Sequence, residues 1–92
     1  MKRDKELAKK FRSKKCIVCN ESYGVTGHHV ISYKSNPALD VEWNMIALCF
    51  THHRLIHDIG VLSFLARYPE VYKELSSRGF EIFNNKLIYP DK

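Results

Sequence analysis

The spacing of apolar residues changes from helical to strand-like within the first half of the chain. Residues 3–12 are rich in lysine and place Leu7 and Phe11 four positions apart, so they predict a short basic helix with one apolar side. Residues 27–33 predict a strand entered through a glycine. The apolar run at residues 43–49 predicts a second strand that pairs with the first.

The second half of the chain contains the start and stop signals of consecutive helices. Thr51 is a suitable N-cap for a helix that stops near Gly60. Residues 61–65 predict another helical stretch. Pro69 suits the first turn of a following helix, for which Gly79 is the C-terminal stop.

The last segment has the pattern of a β-hairpin. Two short arms, at residues 80–83 and 86–89, flank an Asn-Asn pair that is typical of a tight turn. The order along the chain is therefore a cysteine turn, a hairpin, a helix, and then a helical and hairpin extension. This order predicts a small fold of the α+β class.

Length and composition favour one small globular domain over residues 1–92. At 92 residues a hydrophobic core alone gives only marginal stability, so an additional stabilising element is expected. The content of 45% hydrophobic and 27% charged residues excludes a disordered chain. We divide the domain into a basic N-terminal arm (1–15), a core (about 16–60) and a C-terminal extension (61–92). No apolar run is long enough to span a membrane and the first residues lack a signal core, so we expect a cytoplasmic protein.

Positive charge is concentrated at the start of the chain. The net charge is +5, yet residues 2–15 hold eight basic side chains against two acidic ones, and the rest is nearly balanced. Such a segment favours a polyanionic partner, most simply nucleic acid, although a solvated helix surface has the same pattern. The candidate contacts in it are Lys9, Lys10, Arg12, Lys14 and Lys15.

All three cysteines and all five histidines lie within residues 16–57. An odd number of cysteines in a chain without a secretion signal fits a disulfide framework poorly and favours metal binding. A lone Cys-x-x-Cys can be redox-active, and a buried cysteine can be ordinary core. Two ligand pairs about 30 residues apart instead predict a tetrahedral structural zinc site. Its ligands are Cys16, Cys19, Cys49 and His52.

The remaining four histidines predict a second site. On a helix, His53 and His57 are four residues apart and share a face, while His52 lies about 100° around the axis from His53. His28 and His29 are neighbours on a strand, so they point to opposite faces and have different roles. Three imidazole ligands and one general base, beside a basic segment, predict metal-assisted hydrolysis of a phosphodiester.

These motifs together resemble a known family. Cys-x-x-Cys, His-His-Val-Ile, an Asn nine residues before His53, and Cys-x-x-His-His-x-x-x-His are similar to the HNH endonucleases with the ββα-metal fold. The resemblance covers roughly residues 16–57. A weaker likeness continues to Pro69 and is similar to small phage and prophage nucleases of this family.

The resemblance implies a role for each polar residue of the motif. His28, His53 and His57 would bind the catalytic divalent ion, His29 would be the general base that activates water, and Asn44 would hold the His29 loop through hydrogen bonds. The products would carry 5′-phosphate and 3′-hydroxyl ends.

Two departures from the family pattern concern the metals. His52 replaces the commoner fourth cysteine of the structural zinc, and Cys3His is a normal zinc set. His28 stands where many members have Asp. An all-imidazole site favours Zn²⁺, Ni²⁺, Co²⁺ or Mn²⁺ over Mg²⁺, so the identity of the catalytic ion stays open.

The expected partner is DNA, bound by a monomer or a homodimer. Arg54 is expected to contact a phosphate, although Asp58 four residues on could instead pair with it. Lys34, Tyr23 and Tyr33 are further candidate contacts. A zinc-stabilised DNA-binding module without catalysis is the main alternative, and a zinc-organised protein-interaction domain is a third.

Overall fold

An antiparallel β-hairpin lies at the centre of the fold. The structure is a computed structural model that describes residues 5–31 and 37–88. Strand β1 (Thr26–His29) pairs with β2 (Met45–Leu48), and Gly27 lies opposite Ala47. All four residues of β2 are buried, because both faces of the hairpin are covered by helices.

Helix α1 (Lys5–Arg12) covers one face of the hairpin. Phe11 is buried there, and a side chain on Gly27 would collide with the side chains of Phe11 and Met45. Glycine at this position therefore lets the helix approach the strand closely. Residues 5–12 of the segment predicted as a basic arm therefore form a helix that packs on the core through its apolar side.

Helix α2 (Phe50–Ile59) follows β2 directly and covers the other face. The prediction of Thr51 as its N-cap was wrong, because the helix begins at Phe50 and Cys49, two residues before Thr51, occupies the cap position. The amide of His53 donates to the carbonyl of Cys49 at 2.8 Å. The predicted stop at Gly60 is confirmed, and its φ of 87° is a conformation that glycine adopts without strain.

Both central strands are shorter than the predicted ranges 27–33 and 43–49. The reason is Asn44, which is fully buried in a 3-10 turn (Glu42–Asn44) just before β2. Its side-chain amide accepts a hydrogen bond from the amide of Ile31 and donates to the carbonyls of Ile31 and Leu39. These bonds replace the strand ladder after β1 and hold Ile31, Leu39 and Asn44 in fixed relative positions.

Two further helices complete the core. Helices α3 (Val61–Arg67) and α4 (Pro69–Ser77) confirm the predicted helical stretch and the start at Pro69, with Gly79 just beyond the C-cap. Their apolar faces contribute the buried residues Phe64, Leu65, Val71 and Leu75. Tertiary packing of these faces stabilises helices that are too short to persist alone.

A second hairpin ends the described part of the chain. Strands β3 (Glu81–Phe83) and β4 (Lys86–Ile88) pair antiparallel, as predicted. Asn84 and Asn85 have φ angles of 51° and 60°, which is the geometry of a type I′ turn. Within residues 5–31 and 37–88 the fold is thus a small α+β arrangement of four α-helices and two two-stranded sheets. None of the helices in this part is long and apolar enough to cross a membrane.

The buried amide of Asn44 predicts a large loss of stability on truncation. Asn44→Ala leaves the backbone groups of Ile31 and Leu39 without partners, so the free energy of unfolding should fall by about 3 kcal/mol. Asn44→Asp has the same shape but turns a carboxylate toward two carbonyls, so it should be at least as destabilising. Urea denaturation measures both, and the exposed Ser63→Ala on α3 is the control. A tolerated Asn44→Asp would show that the amide donor contributes little.

Candidate metal centres and the adjoining groove

The first cysteine pair lies on a tight turn that is anchored to β2. The amide of Cys16 donates to the carbonyl of Glu21 at 2.8 Å, and the amide of Asn20 donates to the carbonyl of Cys16 at 2.9 Å. The amide of Ile17 donates to the carbonyl of Ala47 at 2.8 Å. The turn is therefore held beside the strand whose end carries the second ligand pair.

Four ligand atoms from these two pairs form a compact cluster. The sulfurs of Cys19 and Cys49 are 3.8 Å apart, and Nδ1 of His52 lies 3.7 Å from the sulfur of Cys16 and 3.3 Å from that of Cys49. A zinc ion bound at about 2.3 Å by sulfur and about 2.0 Å by nitrogen has tetrahedral edges of about 3.8 Å (S···S) and about 3.5 Å (S···N). The cluster therefore matches the size of a zinc tetrahedron and can hold a structural metal ion such as zinc.

The electrostatics of the sulfurs also suit a cation. Burial opposes ionisation of Cys16, but hydrogen bonds from the backbone of Cys49, Cys19 and Val18 outweigh it and lower the pKa of its thiol. The backbone of Glu21 lowers the pKa of Cys19, yet desolvation and the neighbouring sulfurs raise it on balance. Ionised sulfurs this close repel one another, and a bound cation removes that repulsion.

Three histidines form a second cluster between β1 and α2. The ring centroid of His28 lies 5.1 Å from that of His53 and 5.3 Å from that of His57. The centroids of His53 and His57 lie 5.0 Å apart. One ligand nitrogen from each ring falls within 4.8 Å of the others, so the group can hold a metal ion. His52 and His53 are adjacent on α2, yet they belong to different clusters because of the helical rotation between them.

The orientation of one ring in this cluster is fixed by a neighbouring hydroxyl. Oγ1 of Thr26 lies 2.9 Å from Nδ1 of His53. A partner of this kind on one ring nitrogen directs the other nitrogen to a metal, which is the usual arrangement around ligating histidines. Nε2 is therefore the atom of His53 that would ligate an ion.

His28 is poised in the protonation state that metal binding requires. Burial, followed by the nearby rings of His53, His57 and His29, lowers the pKa of His28 to about 4. The imidazole is therefore neutral at neutral pH and carries the lone pair that a metal ligand needs.

His29 has a different set of contacts, as expected for the neighbour of His28 on a strand. Its Nε2 lies 2.7 Å from Oδ1 of Asp40, and the two side chains are 10% and 5% exposed. The chain after it is held by Asn44, whose backbone carbonyl accepts the amide of Val30 at 2.8 Å. The side-chain bonds from Asn44 to Ile31 are of the kind that the family resemblance implies.

A shallow groove of about 200 Å³ adjoins the histidine cluster. It is lined by Phe50, His53, Arg54 and His57, which share one face of α2. Phe50 is 70% exposed. Tyr23, in the turn just before β1, is 86% exposed. Arg54 and the exposed ring of Phe50 therefore lie beside two of the candidate metal ligands, His53 and His57.

The candidate basic contacts have different surroundings. Lys10 pairs with Glu42 at 2.7 Å, which lowers the pKa of that carboxyl, and Lys14 lies 5.4 Å from the centre of the Phe11 ring. Lys34 and Tyr33 lie outside the described residues. The remaining three are exposed: Lys9, Arg12 and Lys15.

Sequence reasoning missed three residues of this region, and two of them have no signal strong enough to identify them individually. Asp40 is one of two acids in a loop, two residues before Glu42, and Thr26 is an ordinary strand residue. Phe50 could have been found, because it precedes His53, Arg54 and His57 by three, four and seven positions and so shares their helical face.

Comparison with protein-family models, with curated proteins and with solved structures found no match to this chain. Both candidate centres therefore rest on the geometry and chemistry of the chain itself.

The Cys3His cluster predicts one tightly held zinc ion per chain. Cys19→Ser should lose this ion and unfold at a lower temperature, because zinc binding contributes directly to folding. Metal analysis by mass spectrometry and thermal denaturation measure the two effects. His57→Ala is the matched control, and it should retain the zinc. Full zinc retention in Cys19→Ser would contradict the assignment.

The histidine cluster predicts a second, weaker site for a borderline divalent ion. Zinc-loaded protein should bind about one further Ni²⁺ per chain in a calorimetric titration. His57→Ala should lower that affinity more than about tenfold. His29→Ala removes an imidazole outside the cluster and is the control. Equal losses in the two variants would show that the three clustered histidines are not the ligands.

Proposed function

We propose that this chain is a metal-dependent endonuclease of the HNH type, with a ββα-metal core, that hydrolyses DNA phosphodiester bonds. The observation that carries the proposal is the convergence of His28, His53 and His57 beside a separate Cys3His cluster. A domain that needed metal only for stability would be served by the first cluster. A second set of converging imidazoles is expected where a divalent ion takes part in chemistry.

The divalent ion would stabilise the negative charge on the phosphate and the charge that develops on the leaving oxygen. The other duties fall to residues of the chain. His29 would take the proton from the attacking water. Asn44 would hold the loop after His29 through its buried hydrogen bonds.

The proposed reaction is an in-line displacement. The water oxygen bonds to phosphorus as the bond from phosphorus to the 3′ oxygen breaks. The proton of the water passes to His29, and the departing 3′ oxygen acquires a proton from solvent. One fragment of the cut strand thus ends in a 3′-hydroxyl, and the other begins with a 5′-phosphate.

Charge and surface chemistry support DNA as the substrate. The chain carries a net charge of +5, and the exposed Lys9, Arg12 and Lys15 belong to its basic N-terminal segment. Arg54 lies in the groove with His53 and His57, where it can contact a phosphate beside the reacting one. The exposed ring of Phe50 in the same groove suits contact with a base or a deoxyribose.

A zinc-stabilised DNA-binding module without catalysis is the second candidate. It is favoured by the same basic segment and by the Cys3His cluster. It gives no reason for the clustered rings of His28, His53 and His57, or for the hydroxyl that orients His53. Such a module would bind DNA in a salt-dependent way. It would not cleave DNA, whichever divalent ion is added.

Nicking of supercoiled plasmid DNA tests the proposal. Zinc-loaded protein should nick the plasmid when Mn²⁺, Ni²⁺, Co²⁺ or Mg²⁺ is added, and EDTA should stop the reaction. His29→Ala should lower the rate by about 10²-fold or more, because it removes the general base. DNA binding, measured by fluorescence anisotropy, should be unchanged in that variant.

Lys73→Ala, which removes an exposed charge on α4, is the control for unspecific loss of positive charge. It should cleave at the wild-type rate. Cleavage by His29→Ala at that same rate would refute the role of His29. Binding without cleavage across all four ions would favour the non-catalytic module.

A further inference from the structure

A nearly buried carboxylate contacts the histidine proposed as the general base. Oδ1 of Asp40 lies 2.7 Å from Nε2 of His29, and the two side chains are 5% and 10% exposed. A separation this short between shielded groups is that of a charge-assisted hydrogen bond. Neither group belongs to the cluster of His28, His53 and His57.

We propose that Asp40 is a positioning residue for His29. An ionised carboxylate only accepts hydrogen bonds, so the ring beside it must carry its hydrogen on Nε2. The lone pair of the neutral ring is then on Nδ1. This inference rests on the proposed nuclease function, and in that reaction Nδ1 is the atom that takes the proton from water.

The fold supports this pair from both sides through one buried amide. Asn44 binds the backbone of Ile31, two residues after His29. It also donates to the carbonyl of Leu39, the residue before Asp40, and Leu39 is itself buried. The backbone segments that carry the two partners are therefore fixed relative to each other.

The alternatives for Asp40 are less consistent with these contacts. A metal ligand would lie with His28, His53 and His57, whereas Asp40 contacts a ring outside that group. A surface ion pair would be solvated, as the pair of Lys10 and Glu42 is, with about half of each side chain exposed. A shielded carboxylate against one ring nitrogen instead resembles the partners that fix the orientation of functional histidines.

The tautomer of His29 in the wild-type protein tests the proposal without any variant. Long-range ¹H–¹⁵N correlation spectra of zinc-loaded, ¹⁵N-labelled protein at neutral pH should show His29 with its hydrogen on Nε2. Assignment follows from the loss of that signal in His29→Ala. In Asp40→Ala the two tautomers should interconvert. Hydrogen on Nδ1 of the wild-type ring would overturn the proposal.

Cleavage kinetics separate a positioning role from a structural one. Asp40→Ala should lower kcat on plasmid DNA by roughly 10- to 100-fold, with KM and zinc content unchanged. Asp40→Glu should recover part of the loss, and the exposed Glu70→Gln is the control. If Asp40→Ala is too unstable to assay, Asp40→Asn replaces it and should show the same loss. Wild-type kcat in a folded Asp40 variant would refute the role.

The outcome for this pair is distinguishable from the outcome for the nuclease itself. If the wild type cleaves DNA and the folded Asp40 variants cleave equally well, Asp40 is not a positioning residue while the nuclease stands. If the wild type cleaves no DNA with any ion, the proposed function fails. The spectra then still decide whether Asp40 fixes the His29 tautomer.

Discussion

The arrangement of both candidate metal centres depends on the rotation between consecutive residues of α2. His52 and His53 differ by about 100° around the helix axis, so one ring reaches the cysteines and the other reaches β1. Cys49 belongs to the same constraint because it occupies the cap position of that helix. The direction in which the chain leaves β2 therefore sets the geometry of both clusters.

Local spacing was enough to predict the pairs of candidate ligands from which the two clusters are built. Two residues three apart on a turn, and two residues four apart on a helix, are brought together by short-range backbone geometry alone. The same holds for the turn at Asn84 and Asn85 and for the stop at Gly60. These features are present in the folded structure because local backbone geometry is enough to form them.

Features that depend on distant contacts could not be predicted in this way. The first strand ends early because the side chain of Asn44 binds the backbone amide and carbonyl of Ile31, which lies thirteen residues before it. The contact between His29 and Asp40 is created by the same loop closure. Thr51 has the chemistry of a cap, but the course of the chain from β2 starts α2 one residue before it. In each case tertiary structure overrode a local preference.

Sharing one helix would also link ions bound at the two clusters thermodynamically. An ion at either cluster holds α2 against the hairpin, so each should raise the affinity of the chain for the other, and by the same factor. Couplings of this kind are typically about 1–3 kcal/mol. Structural zinc in small domains is worth about 10–16 kcal/mol. Because the affinity for zinc would far exceed this coupling, the Cys3His cluster would stay occupied in either case, and only the occupancy of the histidine cluster would change noticeably.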